Sequence, residues 1–172
     1  AINFSRKPEV SSHFAPNMDF LVNFPESNRF ERIKVESVMS KTLDSLKVKN
    51  PDFIKIDIQG AELNALLGAK ETLKSCIGVE LEVEFTEMYL GQPLFGDIAK
   101  YLVESGFESY DFQNICRWVR DSHSGLGQLV FGDALFLKTP ETFLEKNPSN
   151  QQISTYLGIL ALYNRFDLIE HI

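Results

Sequence analysis

A chain of 172 residues with 44% apolar and 24% charged side chains is long enough for one domain with a real core, and its composition lies far from that of disordered chains. Its formal net charge of −7, with no basic stripe interleaved with aromatics, excludes nucleic-acid binding by broad phosphate neutralisation. Apolar runs such as Leu135-Phe136-Leu137 fall short of the roughly 20 residues of a bilayer span. The first residues, Ala1 to Lys7, lack the ordered regions of a secretory signal, so a cytoplasmic chain with no membrane partner is expected.

Residues 1 to 30 carry Pro8, Pro16 and Pro25 and read as an entering strand followed by a long excursion loop. Residues 32 to 36 alternate apolar and charged side chains, as a half-buried strand does, and 40 to 46 read as a short helix. The run 53 to 58 (FIKIDI) is a strand that ends at Gln59-Gly60. Leu63, Leu66, Leu67 and Leu73 then fall on one face of a following helix. Residues 79 to 85 give the cleanest period-two alternation in the chain. Pro93 suits the first turn of the next helix, Leu94, Ile98 and Leu102 share its buried face, and Gly106 stops it. This strand-helix rhythm predicts an α/β domain with a mostly parallel sheet. Two further strands, 107 to 119 and 128 to 138, leave no room for a helix between them, so an antiparallel hairpin at the sheet edge is expected. Residues 150 to 163 form a tail helix, and the apolar pattern continues to the last residue. Cys76 and Cys116 have no neighbouring Cys or His at metal-finger spacing; both read as free thiols, with a disulfide as the alternative.

In open α/β sheets ligands bind beyond the carboxyl ends of parallel strands, which directs attention to residues 57 to 60 and 84 to 89. Asp57 ranks first, because it follows an apolar strand and a carboxylate is costly to bury without partners; a cap or ion-pair partner for the next helix is the alternative. Gly60 permits a tight turn, and Glu62 is explained equally by the helix dipole. Glu80, Glu82 and Glu84 share one strand face. Glu84 lies nearest the predicted crevice and is a candidate base. Glu80 and Glu82 read as partners of Lys or Arg on a neighbouring strand, or as wet edge positions. His13, in the loop Ser11-Ser12-His13-Phe14, is a further candidate base, with a solvated loop histidine as the alternative, and His123 in the hairpin loop reads the same way. Gly125-Leu126-Gly127 follows no parallel strand and reads as a turn.

Taken in order, Thr42-Leu43-Asp44-Ser45-Leu46, then Asp52 to Leu63 (DFIKIDIQGAEL) and Leu67-Gly68-Ala69, resemble the FkbM-type methyltransferases, with Gln59 where Glu is more frequent. Glu82-Val83-Glu84-Phe85, Gly106-Phe107, Arg117-Trp118 and Gly132 to Phe136 also look like this family, and the match runs from about residue 10 to 138. The resemblance implies a Rossmann-like class I methyltransferase sheet, S-adenosylmethionine as cofactor, and a hydroxyl oxygen on a sugar or small metabolite as acceptor. Asp57 with Ile58, Gln59 and Gly60 would then contact the cofactor, and Asp57, Glu84 and His13 would be the catalytic candidates. The family's DxGxxxG-like loop does not occur in these residues, so the chain is expected to be a carboxy-terminal portion of the enzyme, with its first sheet strands missing, that by itself binds cofactor weakly. A catalytically silent binding domain and a metal-assisted enzyme using Asp57 and Glu84 are the rival readings.

Overall fold

The computed structural model describes residues 1–120 and 125–172. Strand β1 (Ile2–Ser5) pairs antiparallel with β2 (Arg32–Glu36), and between them run two short 3-10 turns and the four-residue helix α1 (Met18–Leu21). Every residue of β2 is exposed, so the expected half-buried strand is instead one arm of a two-stranded ribbon with no second layer to cover its apolar positions. Helix α2 (Leu43–Leu46) is shorter than the sequence pattern suggests. It starts at Thr42, whose hydroxyl oxygen accepts the Ser45 N–H at 3.2 Å as an N-cap.

The main sheet holds β3 (Phe53–Ile56), β4 (Gly78–Glu84), β5 (Glu108–Trp118) and β6 (Gln128–Leu137) in the order β3-β4-β6-β5. Strands β3 and β4 are adjacent and parallel, as their helical crossover requires. The β4–β6 and β6–β5 pairs are antiparallel, so the sheet is mixed and the expectation of a mostly parallel sheet does not hold. The hairpin was anticipated, but its second strand folds inward. With apolar Leu135, Phe136 and Leu137 fully buried, β6 sits between β4 and β5 and leaves β5 at the edge.

The crossover from β3 to β4 is two helices, α3 (Glu62–Leu67) and α4 (Lys70–Ser75), interrupted at Gly68-Ala69, where one continuous helix was expected. Asp44 fixes the second one. Its carboxylate accepts the Thr72 and Glu71 N–H groups at 2.9 and 3.1 Å and the Thr72 hydroxyl at 2.8 Å, which satisfies the first turn of α4 and lowers the Asp44 pKa, the Thr72 N–H foremost. Helix α5 (Phe95–Glu104) begins two residues after Pro93, with Asp97 reaching back to the Leu94 N–H at 3.0 Å.

One sheet face is covered by α3, α4 and α5 around Leu66, Leu73, Val79, Leu81, Ile98 and Leu102. The opposite face is covered at one end by α6 (Pro140–Leu144), α7 (Asn150–Leu162) and α8 (Phe166–Ile169), through Phe143, Tyr156 and Leu160. At the other end residues from the β1–β2 block, including Leu21 and Phe30, pack on Met88, Tyr89 and Val130. Cys76 is buried, Cys116 half-buried, and both are free. The predicted turn residues Gly125 and Gly127 have φ of 106° and 77°, and Cβ on Gly127 would lie 2.8 Å from the Trp118 carbonyl oxygen. His123 lies outside the described residues.

Candidate functional site

At the carboxyl ends of β3 and β4 the sheet opens into a cavity of about 1110 Å³. Its floor is formed by Asp57, Ile58, Gln59 and Glu82, and its opposite wall includes His13, Arg29, Phe30 and Trp118. This is the position where ligands gather in α/β sheets. Of the residues singled out from sequence, Asp57, Ile58, Gln59 and His13 line the cavity. Glu84 and Gly60 are not among its lining residues.

The floor owes its shape to two consecutive left-handed residues. Gln59 has φ 57° and Gly60 φ 93°, so the chain turns sharply from strand into helix; Cβ on Gly60 would lie 3.1 Å from Gln92 Nε2. The Ser12 hydroxyl donates to the Gln59 carbonyl at 2.6 Å and accepts the Phe14 N–H at 3.0 Å, tying the amino-terminal loop to this turn. With its backbone held in this way, the Gln59 side chain spans the floor. Nε2 donates to Asp57 Oδ1 at 3.1 Å and to Glu82 Oε2 at 3.0 Å, while Oε1 accepts from the Tyr89 hydroxyl at 2.9 Å.

Asp57 lies one residue beyond β3 and is exposed. The desolvation argument that singled it out applies instead to its neighbours, because Glu82 is 7% exposed and Glu62 and Glu84 are fully buried. Burial, then the hydrogen bond to and charge of Asp57, push the Glu82 carboxyl up to about 9. Burial and the charge of Glu62 push Glu84 up to about 8, with the Gln92 side chain acting in the opposite direction. Among the described residues neither Glu84 oxygen, nor Glu62 Oε2, nor Gln92 Nε2 has a hydrogen-bond partner. Glu62 Oε1 accepts the Ile58 N–H at 2.8 Å, and burial raises the Glu62 pKa in spite of that bond. Glu84 is therefore a buried group behind the cavity floor rather than a residue open to a ligand.

Glu80 follows its sequence expectation: it pairs with Lys55 of β3 and accepts from the Tyr163 hydroxyl. Glu82 does not, since among the described residues no Lys or Arg forms an ion pair with it. Strand register explains why it reaches the cavity. Ile56 lies opposite Leu81, so the next residues along, Asp57 and Glu82, end up level with each other. Alternation placed Glu82 on the same face as Glu84, but the offset between the strands decides which glutamate meets Asp57.

Arg29 and Trp118 were also missed as site residues. The Arg29 guanidinium lies 5.1 Å from the Trp118 ring centre and 5.0 Å from that of Phe30, giving the wall an aromatic face. His13 is exposed and packs edge-on against Phe14 at 5.2 Å. Among the described residues no group of three or more His, Cys, Asp or Glu could hold a metal ion, and no helix is long and apolar enough to cross a membrane.

This arrangement can hydrogen-bond hydroxyl or amino groups on its floor, stack a flat or pyranose-like surface on its wall, and accept a proton at Asp57. No match was found among curated proteins or solved structures. The Methyltransferase FkbM domain family matches residues 7–113, which is more than half of the chain and contains Asp57, Gln59 and Glu82, and the chain belongs to that family.

Proposed function

We propose that this cavity serves S-adenosylmethionine-dependent methylation of a hydroxyl oxygen on a sugar or small metabolite, within a Rossmann-like class I arrangement. The observation that supports it is the cavity floor. An exposed carboxylate, Asp57, stands beyond the end of a parallel strand beside Gln59 and Glu82, facing an aromatic wall.

The residues present fit the cofactor in charge and shape. A sulfonium and an α-ammonium group are cations, and the floor carries the Asp57 carboxylate beside the carbonyl and carboxyl oxygens of Gln59 and Glu82. The apolar strip of Ile58, Ala61 and Ala65 offers a surface for a flat base. When bound, S-adenosylmethionine would supply an electrophilic methyl group for the acceptor oxygen and would leave as the neutral thioether, which retains the electron pair of the broken bond. The chain's own part is positioning and proton removal. The aromatic wall and the floor hold the acceptor, and Asp57 takes the hydroxyl proton as the new bond forms. His13, at the rim, is a second proton acceptor within the same cavity.

Calorimetry with S-adenosylmethionine and S-adenosylhomocysteine, on this chain and on a form extended upstream, tests the reading together with labelled-methyl transfer to hydroxylated acceptors. Binding and transfer by the extended form, with weak binding by the chain alone, is the expected result. Absence of both in every form would leave a silent binding domain.

A further inference from the structure

We propose that Asp57 and Glu82 form a pair holding a single proton, in which Glu82 is the positioning residue that keeps the Asp57 carboxylate aimed into the cavity to take the acceptor's proton. The shared proton rests on the geometry of the pair, and its role rests on the methyl-transfer reading above.

The two carboxyl groups are level across the parallel β3–β4 register and are bridged by one amide, Gln59 Nε2, at 3.1 and 3.0 Å. Two like charges this close do not both ionise unless a cation stands by. Among the described residues neither carboxyl group forms an ion pair, although the Asp57 charge, with those of Glu80 and Asp133, acts on the Lys55 ammonium. On β3, Lys55 is engaged with Glu80 and lies 3.9 Å from Asp133. Asp133, opposite Glu82 on β6, adds a further carboxylate and accepts the Asn114 amide at 2.8 Å. On α3 and β4, Glu62 and Glu84 are acidic. From the loop after β4, Tyr89 presents a neutral hydroxyl, its ionisation held back by burial and by these carboxylates. From the amino-terminal block, Arg29 lies over Trp118 and Phe30, and His13 is exposed at the rim.

Burial decides which member keeps the proton. Glu82 is 7% exposed and Asp57 is exposed, so solvent stabilises the charge on Asp57, and the neutral acid sits on Glu82. Protonated Glu82 then donates to Asp57 while Gln59 donates to both, which leaves Asp57 a restricted set of orientations. In the reaction the acceptor O–H bond breaks and its proton forms a new O–H bond on Asp57. The pair now carries two protons. Asp57, being exposed, releases one to solvent after the product leaves, and the Glu82 proton stays throughout.

Carboxyl-carbon NMR titration of the chain labelled at Asp and Glu tests the pair without any cofactor. The Glu82 signal, assigned by its loss in Glu82→Gln, should titrate above neutral pH, and Asp57→Asn should lower that midpoint by about one unit or more. Titration of Glu82 with the exposed glutamates, or a midpoint unmoved by Asp57→Asn, overturns the pair. For the role, Glu82→Gln retains a side-chain donor and should transfer methyl about tenfold or more faster than Glu82→Leu, the difference lying in kcat rather than KM. Equal activity of the Leu and wild-type forms, or equal loss in Gln and Leu, overturns the role. If no form transfers methyl yet the titration is as expected, the methyl-transfer reading and the role both fall and the shared proton stands.

Discussion

The two ends of β4 present the same residue to opposite circumstances. Glu80, near the start of the strand, meets Lys55 and Tyr163. Burial alone would raise its pKa, but those two hydrogen bonds outweigh burial and leave it lowered. Glu84, at the other end, is fully buried, and burial and the charge of Glu62 push its carboxyl up to about 8. Both project from one face of one strand, so alternation cannot tell them apart. What separates them is the neighbour that strand order and register bring alongside: a Lys at one end, further carboxylates at the other. An unneutralised cluster of acids is costly to keep, and here it lies beside the cavity at the strand ends.

The sharpest way to break this contrast is to remove charge at the acidic end where it meets the cavity. Asp57→Asn should lower methyl-transfer rate by roughly 100-fold or more, the scale of a positioned acid-base group, with little change in melting temperature. An unchanged rate with unchanged melting would remove Asp57 from the chemistry.

The second test concerns stability. The folded Glu84 carboxyl is raised above its unfolded value, so its favourable contribution is complete below pH 4.5 and is lost as pH rises toward about 8; Glu82 acts in the same direction up to about 9. Replacing Glu84 with Gln, which cannot ionise, should therefore stabilise the fold by on the order of 2 kcal/mol at pH 8 and have little effect at pH 4. In melting temperature that is about 2–4 °C for each kcal/mol in a domain of this size. A variant less stable than wild type at pH 8 would mean that Glu84 is held as a useful charge.

The smallest effect belongs to the neutralised end. Lys55→Met removes the cation from Glu80 and should destabilise by about 1 kcal/mol, because Lys55 is 57% exposed and water screens the pair. The loss should be largest above pH 5 and vanish as Glu80 protonates in acid. A pH-independent change would indicate that the lysine stem, rather than its charge, supports the sheet. With either outcome, comparison with Glu84→Gln shows whether the two ends respond to pH with opposite sign.

Much of the framework was legible because local pattern carries it. The alternation at 79 to 85, the apolar strand before Asp57 and the tail helix each reappear within a residue or two. The parallel β3–β4 pair followed from the length of its crossover. The place of β6 was not legible, because no local feature states that a hairpin strand will insert beside β4 rather than stand outside. The break at Gly68-Ala69 was hidden by a leucine pattern that continues in phase across it. Asp57, Ile58, Gln59 and His13, singled out from strand ends and loop position, line the cavity. Glu82 was passed over because its neighbour depends on register, and Glu84 was preferred because it stood nearer the strand end. Arg29 and Trp118 come from segments far apart in the chain, and only the packing of the amino-terminal block against β5 and β6 brings them to one wall.

The interior position of β6 also bears on the order in which the molecule assembles. Its contacts with β5 span one short connection, whereas those with β4 reach back across α5 and all of β5. Closing the longer loop costs more chain entropy, so the hairpin can form early, and β4 must then dock against its exposed edge. Until that happens the β6 edge that pairs with β4 carries open N–H and C=O groups, and a second chain in the same state could pair there instead. Refolding yield should accordingly fall with protein concentration, and pulse-labelled amides should gain protection in β5 and β6 ahead of β3; simultaneous protection throughout the sheet would show that the four strands close as one unit.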